Sequence, residues 1–302
     1  MKKTSKRKLK NLFYIILFCA LPMIHLILFT FVPFIENIVN SFYSMSYTQN
    51  NGFVGGNNYI EIFSTYEFWK SLKVCGYYVV SAILQTFIAF FLALILVKNK
   101  KVYNFFKGCI FLPYLINSIA IGFIFKLFFT RGFIFDSLLG GLGVNLSSLP
   151  FWLRDKPINN IVLGLISLWR YTGFNMILFV GGLISIDKNL YNAAKVDGAT
   201  KFDEFKYITF PNMKKLFLSV LMLSVISSFN EFDLPYIVSS GGANGTTTIM
   251  IYIYKTANIS RKVGLASAMV VVLCAIIFVL LTFCFSVRAL FKKLKYKRSV
   301  KT

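Results

Sequence analysis

Charged side chains are scarce in this chain, since Asp, Glu, Lys and Arg make up 15% of its 302 residues. A soluble domain carries roughly 25% charged residues, because water has to solvate its surface. Hydrophobic residues account for 57% of the chain, and Phe alone occurs 34 times. This composition leaves too little polar surface for a water-exposed globule. It excludes an ordinary soluble domain and indicates a polytopic membrane protein.

Metal ligands and reactive side chains are also few. His25 is the only histidine, and no Cys-x-x-Cys motif occurs. The five cysteines all lie in apolar stretches: Cys19, Cys75, Cys109, Cys274 and Cys284. Because metal sites need clustered thiolate or imidazole ligands, we expect no metal, no cofactor and no catalytic residue.

A phosphate-binding loop is missing as well. The stretch GGANGTTT at 241–248 has the glycines of such a loop but no Lys before its hydroxyl residues. The Lys is the residue that reaches the terminal phosphates in a Walker sequence. The chain is therefore not expected to hydrolyse ATP by itself, and we predict that it is not an enzyme.

Long apolar stretches dominate what is present. A membrane helix needs about 20 apolar residues, and six stretches qualify: 12–34, 72–97, 108–129, 160–186, 216–238 and 264–287. The first follows a basic start but is too long for the apolar region of a signal peptide. We read it as a retained span and predict an all-α membrane protein with six transmembrane helices.

Basic residues are divided unevenly between the connecting segments. When the segments are numbered in chain order, the odd-numbered ones together carry 23 Lys and Arg residues and the even-numbered ones carry 8. The basic set comprises 1–11, 98–107, 187–215 and 288–302, and the other set comprises 35–73, 130–159 and 231–263. By the positive-inside rule both termini are predicted to be cytoplasmic. The net charge of +22 is then an orientation signal, and nucleic acid is not an expected partner.

The basic segment 187–215 has the pattern of a folded loop. A helix is predicted around 189–194, and Asp197-Gly198 interrupts it, since Gly adopts backbone conformations that are costly for other residues. A second short helix follows, with an apolar ridge made of Phe202, Phe205 and Ile208. Pro211 suits the first turn of the next helix. Such a ridge either folds back onto the helix bundle or inserts into a partner.

The stretch NAAKVDGATKFDEFKYITFP at 192–211 resembles the coupling loop of permease subunits of binding-protein-dependent ABC importers. The family pattern is Glu-Ala-Ala, then Asp-Gly-Ala, then a Phe, an Ile and a Pro at fixed spacing. The matching residues are Ala193, Ala194, Asp197, Gly198, Ala199, Phe205, Ile208 and Pro211. Asn192 stands where Glu is usual, which removes one potential salt bridge but leaves the docking shape. The resemblance implies that these nine residues form the loop that docks on the ATPase.

Other motifs resemble the carbohydrate-uptake branch of that family, the maltose and glycerol-phosphate type. They are FLPY at 111–114, LWR at 168–170, FNEFDLPYIVSSGG at 229–242 and GLASA at 264–268. The run at 229–242 is more similar to the first permease of a heterodimeric pair than to the second, although Ala243 replaces the usual Pro.

This resemblance implies a type I ABC importer permease of the bacterial plasma membrane, importing a sugar or a related polyol or oligosaccharide. The implied division of the chain is a tail, first helix and outer loop (1–71), a transmembrane domain (72–288) and a basic cytoplasmic tail (289–302). The implied partners are a second permease, a cytoplasmic ATPase dimer, an extracellular solute-binding protein and the lipid bilayer. The binding protein is expected to dock mainly on 130–159 and 239–263.

Polar residues inside the fourth and fifth predicted spans are candidates for a substrate pathway. A charge at the bilayer centre costs at least ~2.5 kcal/mol, so Arg170 and Glu231 need a reason to be there. The candidate set comprises Arg170, Tyr171, Phe174, Asn175, Ser224, Ser227, Ser228, Asn230 and Glu231. Tyr114 and Asn117 are weaker candidates, and Lys126 is expected to reach the outer interface.

Two alternatives remain open from the sequence. Arg170 and Glu231 could pair with each other and join two helices, while the serines only permit close packing. An ion-coupled secondary transporter of a small polar solute would share the composition. Such transporters usually contain internal repeats and carboxylates near the midplane, and no convincing repeat relates the two halves of this chain.

Overall fold

Within the residues that the computed structural model describes, five helices are long and apolar enough to cross a membrane, and a bent pair of helices supplies a sixth span if it is counted as one. The structure describes residues 14, 16–47, 49–98 and 100–299. The predicted basic start at 1–11 lies outside these residues. The all-α architecture with up to six spans is confirmed, whereas the cytoplasmic position of the termini stays a prediction.

In the described residues of the first half of the chain, one β-hairpin lies among helices. Its elements are α1 (Ile16–Asn40, with a π-helical turn at Ile27–Phe31), β1 (Tyr43–Ser46), β2 (Gln49–Phe53), α2 (Asn57–Ser64), α3 (Tyr66–Lys98), α4 (Lys100–Leu115), α5 (Ser118–Phe128) and α6 (Ile134–Gly141). The strands β1 and β2 pair antiparallel.

The second half begins after a 3₁₀ turn at Leu146–Ser148. Its elements are α7 (Ile158–Ile184), α8 (Lys188–Val196), α9 (Lys201–Asp203), a π-helical segment (Glu204–Thr209), α10 (Phe210–Phe229), α11 (Asp233–Val238), α12 (Ile249–Tyr254), a second π-helical segment (Lys255–Ile259) and α13 (Val263–Ser299).

The chain forms two compact units, one made of Met1–Thr65 with Ile253–Thr302 and the other of Tyr66–Tyr252. In the first unit, Asn58 Nδ2 donates to the carbonyl oxygens of Ser41 and Tyr43 at 2.8 and 3.1 Å. Gly264 lets α13 approach β1, because a Cβ there would lie 2.0 Å from the Tyr43 carbonyl oxygen. The predicted division at 72 and 288 differs from these bounds and stays a prediction.

The second unit is built on α3 and α7, which pack along most of their lengths. Small residues allow this approach: a Cβ at Gly164 would lie 2.6 Å from Ser81 Oγ on α3. One apolar cluster centres on Phe90, Phe179 and Met213. Close helix contact through small residues is typical of membrane bundles, where lipid is as apolar as the side chains.

The third predicted span, 108–129, is wrong as a single helix. The chain bends by 93° between Asn104–Leu115 and Ser118–Phe128. Asn117 begins the new helix with an extended ψ of 135°, and its side-chain Oδ1 accepts from the Ile119 N–H at 2.8 Å. An Asn that caps a helix start in this way also ends the preceding helix, because its own backbone is not helical.

The fifth predicted span, 216–238, is interrupted as well. Helix α10 ends at Phe229 and α11 begins at Asp233. Pro235 explains the break, since its ring would collide with the carbonyl of Glu231, four residues earlier, in a continuous helix. The Glu231 carbonyl instead accepts a hydrogen bond from Thr248 Oγ1 at 2.8 Å. Glu231 therefore lies in a break between helices and not on a helical stripe.

Candidate translocation pathway and coupling segment

A cavity of about 140 Å³ lies within the second unit, among α3, α4, α7 and α10. It is about as large as a cavity that holds one benzene molecule, ~150 Å³, so it can accept one six-membered ring. The polar and aromatic residues that line it are Tyr78, Gln85, Tyr114, Ser167, Tyr171, Phe174, Asn175, Ser224, Ser227, Ser228 and Glu231.

Seven of the nine pathway candidates line this cavity. They are Tyr171, Phe174 and Asn175 on α7, Ser224, Ser227 and Ser228 on α10, and Glu231 in the break after α10. Asn175 Nδ2 donates to Ser224 Oγ at 2.9 Å and so joins the two helices. The structure thus brings together side chains that lie about 50 positions apart in the sequence.

Arg170 and Asn230 are not among the residues that line the cavity. Arg170 Nη1 donates to the Tyr171 hydroxyl at 3.2 Å, and its guanidinium carbon lies 5.0 Å from the centroid of that ring. Within the described ranges, the ion pairs are Arg131–Asp136 and Lys262–Glu61. Arg170 and Glu231 therefore do not form the interhelical pair that the sequence left open. Asn230 ends α10 and is exposed.

An aromatic wall forms one side of the cavity. The rings of Tyr114 and Phe174 stack with centroids 4.6 Å apart and planes 22° from parallel. Tyr171 lies beside Tyr114 at 6.1 Å between centroids. Tyr114, a weaker sequence candidate, thus belongs to the lining, whereas Asn117 caps α5 and does not line the cavity.

Helix α3 contributes lining residues that the sequence analysis missed. Tyr78, Ala82 and Gln85 line the cavity from one face of this helix. Their spacing of four and three residues places them on one helical face, and that spacing is the signal that could have identified them. The Tyr78 side chain is 1% exposed, and its hydroxyl has no hydrogen-bond partner in the described part of the chain.

The cavity has an exposed edge. Leu223 on α10 lines it and is 61% exposed, and Ser227, one helical turn further on, is also exposed. Buried polar side chains such as Asn175 and Ser224 lie behind this edge. The described residues of this chain therefore form a wall of the cavity that leaves one side open.

Lys126 lies away from the cavity, near the end of α5. Its Nζ donates to Ser240 Oγ at 3.0 Å. It therefore bonds to the loop after α11, and its position at the outer interface stays a prediction. Among the described residues, no group of three or more His, Cys, Asp and Glu side chains is arranged to hold a metal ion.

The segment 187–215 folds as a helix, a glycine turn and a second helix, as predicted. Asp187 Oδ1 caps α8 by accepting from the Asn189 N–H at 2.9 Å. Gly198 follows with φ +76°, a backbone conformation that favours glycine. Thr200 and Asp203 then form a reciprocal capping box at the start of α9.

The second helix of this segment does not end before Pro211, which corrects the sequence prediction of a separate short helix. It continues through the π-helical segment Glu204–Thr209 into α10, where Pro211 lies in the first turn. The Phe210 N–H bonds to the Phe205 carbonyl, five residues earlier, as in a π turn, and the helix continues through Pro211 without a break.

The predicted apolar ridge divides between two surfaces. Phe205 packs against the main apolar cluster, 6.5 Å from Phe90 between ring centroids. Phe202 is 69% exposed. Residues three apart on a helix are rotated by about 60° from exact alignment, so a ridge spanning 202–208 covers two faces.

The other coupling candidates differ in exposure. Those that are exposed are Asn192, Ala193, Asp197, Gly198 and Pro211, and those that are half-buried are Ala194, Ala199 and Ile208.

An exposed apolar surface remains on this segment. Val196, the last residue of α8, is 88% exposed, and Phe202 and Tyr207 are also exposed. These three residues, which we name the segment surface, lie on both sides of the Gly198 turn. Apolar side chains at this exposure are typical of a surface that a partner covers.

The connection between α5 and α7 is held by a buried carboxylate. Asp136 accepts from the Gly132 N–H at 2.7 Å and from Trp152 Nε1 at 2.7 Å, and Arg131 Nε lies 3.6 Å away. The Gly132 hydrogen bond, followed by the Trp152 hydrogen bond, holds the pKa of Asp136 below its ordinary value. The Arg131 guanidinium also donates to the carbonyls of Leu146 and Leu149. This network fixes the segment 131–152.

Comparison with known families identifies the chain. Residues 85–296 match the family described as the binding-protein-dependent transport system inner membrane component. The match covers more than half of the chain and includes the cavity residues Gln85 to Glu231 and the segment 187–215. The chain belongs to this family and is a membrane permease subunit of an ABC importer, in which a partner ATPase hydrolyses ATP.

Individual relatives support the same assignment. The chain is 30% identical over 262 residues to the lactose transport system permease protein LacF of Rhizobium radiobacter, covering 84% of this chain and 87% of the relative. It is 30% identical over 271 residues to the arabinooligosaccharides transport system permease protein AraP of Bacillus subtilis, covering 87% and 84%.

Solved structures share the fold. A chain of a bacterial alginate ABC transporter, in complex with an alginate pentasaccharide-bound periplasmic protein, superimposes with a TM-score of 0.79 at 17% identity. The superposition covers 92% of this chain and 94% of that chain. The type I importer permease fold is thus confirmed, and these relationships favour an ATP-driven importer over an ion-coupled secondary transporter.

Proposed function

We propose that this chain forms one half of the translocation pathway for a sugar or a related polyol or oligosaccharide. The observation that carries the proposal is the cavity, which combines the stacked rings of Tyr114 and Phe174 with buried hydroxyl and amide groups. Aromatic faces and paired polar groups suit sugar rings. Relatives that are named for lactose and arabinooligosaccharide transport support the same cargo class.

The exposed edge of the cavity supports a second permease as the partner that closes it. Leu223 and Ser227 lie at that edge. We assign a heterodimeric partner to this edge, a solute-binding protein to the extracellular segments 130–159 and 239–263, and cytoplasmic positions to both termini. Affinity purification from the native membrane tests the composition: a different permease chain, an ATPase and a binding protein should accompany this chain. Recovery of this chain alone contradicts the proposal.

A substitution that fills the cavity tests the pathway. Ser227→Trp places a large ring at the lining while its backbone stays in α10. Uptake of the imported sugar should fall at least about tenfold, and the amount of assembled transporter should remain unchanged. Ser219→Trp is the matched control, because Ser219 is an exposed serine of the same helix outside the cavity lining. Normal uptake by the Ser227 variant removes the cavity from the pathway.

The segment 187–215 is proposed to couple the permease to the ATPase. The segment surface of Val196, Phe202 and Tyr207 supports this role, because nothing in the described chain covers it. Val196→Glu puts a charge at its most exposed position and should abolish co-purification of the ATPase without loss of membrane insertion. Val144→Glu, at an exposed valine in the connection after α6, serves as control. Retention of the ATPase by the Val196 variant refutes the assigned docking surface.

A further inference from the structure

Helix α3 contains several buried polar side chains, and its buried hydroxyl groups of serine and threonine bond within the helix. The hydroxyls of Ser71, Ser81 and Thr86 each donate to a backbone carbonyl three or four residues earlier, at 2.7, 3.0 and 2.7 Å. Short side chains on a helix can reach these carbonyls. These three groups are therefore satisfied by the protein itself and need no ligand.

Tyr78 and Gln85 on the same helix differ from them. Tyr78 is 1% exposed, and its hydroxyl has no hydrogen-bond partner in the described part of the chain. Gln85 is 5% exposed, and its side chain makes no hydrogen bond to another described residue. Because the large majority of buried side-chain polar atoms have a partner, these two groups need an explanation.

Both groups line the cavity. Tyr78, Ala82 and Gln85 lie on one face of α3 over two helical turns, and all three belong to the lining. Ala82 between them has only a methyl group, so it leaves space for a solute to reach both polar groups. The stacked rings of Tyr114 and Phe174 line the same cavity. The cavity thus offers polar groups to the hydroxyls of a solute ring and aromatic faces to its apolar side.

The chemistry of the two side chains indicates what they bind. A buried donor or acceptor without a partner is unfavourable until a ligand supplies one. The Tyr78 hydroxyl can both donate and accept, and the Gln85 amide has a donor end and an acceptor end. A sugar hydroxyl also donates and accepts, so neighbouring hydroxyls on one solute can satisfy both side chains.

We infer that Tyr78 and Gln85 hydrogen-bond the hydroxyl groups of the transported solute, so that α3 is a third ligand-binding helix beside α7 and α10. The inference rests on the proposed sugar pathway and adds two binding residues to it. Since the Tyr78 hydroxyl has no partner in the empty protein, its removal should not lower stability, although it should weaken solute binding. A structural role for this hydroxyl predicts the reverse.

Thermal unfolding of the purified transporter without solute tests the effect on stability. Tyr78→Phe removes only the hydroxyl, and the melting temperature of this variant should equal or exceed that of the wild type. A lower melting temperature would mean that the hydroxyl is already satisfied in the empty state, by a protein group or by a bound water molecule. That result would overturn the inference.

Solute binding is measured on the assembled complex, without its binding protein, in lipid nanodiscs. The probes are lactose and arabinotriose, from the solute classes for which two relatives are named, and binding is followed by ligand-observed NMR. Tyr78→Phe and Gln85→Met should each weaken binding about fivefold, as expected for the loss of one hydrogen bond. Tyr77→Phe is the matched control and should bind like the wild type, because Tyr77 is the adjacent, half-buried tyrosine outside the lining.

Three outcomes of the binding experiment overturn the inference: an unchanged affinity in Tyr78→Phe or Gln85→Met, an equal loss in Tyr77→Phe, or no binding of either probe to the wild type. Failure of the proposed pathway is a separate result. If Ser227→Trp blocks uptake while Tyr78→Phe binds like the wild type, only the role of α3 is refuted. If Ser227→Trp transports normally, the pathway itself is refuted.

Discussion

Ser118 Oγ donates a hydrogen bond to Asp233 Oδ2 at 2.5 Å, although the two residues lie 115 positions apart. Ser118 begins α5 and Asp233 begins α11, so the bond joins the first turns of two short helices. At the other end of α5, Lys126 bonds to Ser240. Between them, Gly122 leaves room for Ile237, because a Cβ there would lie 2.9 Å from it. The bent third span and the broken fifth span thus pack as one pair.

Loss of this hydrogen bond should weaken that pair. Ser118→Ala removes the donor and should lower the free energy of unfolding by about 1 kcal/mol, measured by thermal unfolding of the purified protein in detergent. Ser219→Ala, which removes an exposed hydroxyl bonded only to Lys215 within its own helix, should have a smaller effect. Equal effects of the two substitutions would show that the hydrogen bond between Ser118 and Asp233 adds nothing to stability.

A methyl group at Gly173 should separate two packed helices. An added Cβ would lie 2.0 Å from the Ile110 carbonyl oxygen, a backbone atom that cannot rotate away. Gly173→Ala should therefore destabilise the protein by about 1–3 kcal/mol and reduce the yield of monodisperse protein in size-exclusion chromatography.

Gly181 is the matched control on the same helix, since nothing lies within 4 Å of its added Cβ. Gly181→Ala should leave stability unchanged or raise it by up to about 1 kcal/mol, because Ala favours the helix. Destabilisation of similar size at both glycines would mean that the contact of Gly173 with α4 is not the cause.

Acid should loosen the connection between α5 and α7. The pKa of Asp136 is lowered in the folded state by its Gly132 and Trp152 hydrogen bonds. Its contribution to stability is therefore present above the ordinary aspartate pKa of 3.8 and is lost as pH falls through the lower folded value. Trp152 fluorescence should change over that acidic range, in a protein carrying Trp69→Phe and Trp169→Phe.

Asp136→Asn identifies the titrating group. The amide cannot ionise, so the fluorescence of Trp152 should no longer depend on pH below about 4. An identical acid transition in the Asn variant would assign it to another carboxyl group.

The capping box at Thr200 should stabilise the start of the helix that leads into α10. Thr200 Oγ1 bonds to Asp203 Oδ2 at 2.5 Å, and the Thr200 N–H donates to the same oxygen at 3.0 Å. Thr200→Ala should lower the free energy of unfolding of this helix end by about 1 kcal/mol and accelerate amide hydrogen exchange at 201–204. Thr200→Ser retains the hydroxyl and should exchange like the wild type; equal acceleration in both variants would contradict the capping role.

Several features of the fold could be predicted because they follow from local composition and spacing. The long apolar stretches predicted membrane helices, since only a helix of about 20 apolar residues satisfies its backbone across the bilayer. Asp197-Gly198 predicted the turn in segment 187–215, which the positive φ of Gly198 confirms. The 192–211 pattern indicated a family that residues 85–296 match.

The helix breaks were harder to predict, although their causes are in the sequence. Asn117 and Pro235 are both present in the sequence. A hydropathy average over a whole span hides single residues of this kind, so the apolar stretches predicted continuous helices. Proline and a capping asparagine end a helix in water, but membrane helices often tolerate such residues. Their effect here depends on the partners that take up the freed backbone groups, such as Thr248 for the carbonyl of Glu231.

The sequence by itself determined the class of protein, the number and approximate place of its spans and the polar residues of α7 and α10, because these depend on residues close together in the chain. Only the tertiary structure decided that Tyr78 and Gln85 face the same cavity, that Arg170 contacts Tyr171 and does not pair with Glu231, and that Phe205 turns inward. These outcomes depend on which helix faces another, and side-chain packing over long sequence separations decides that.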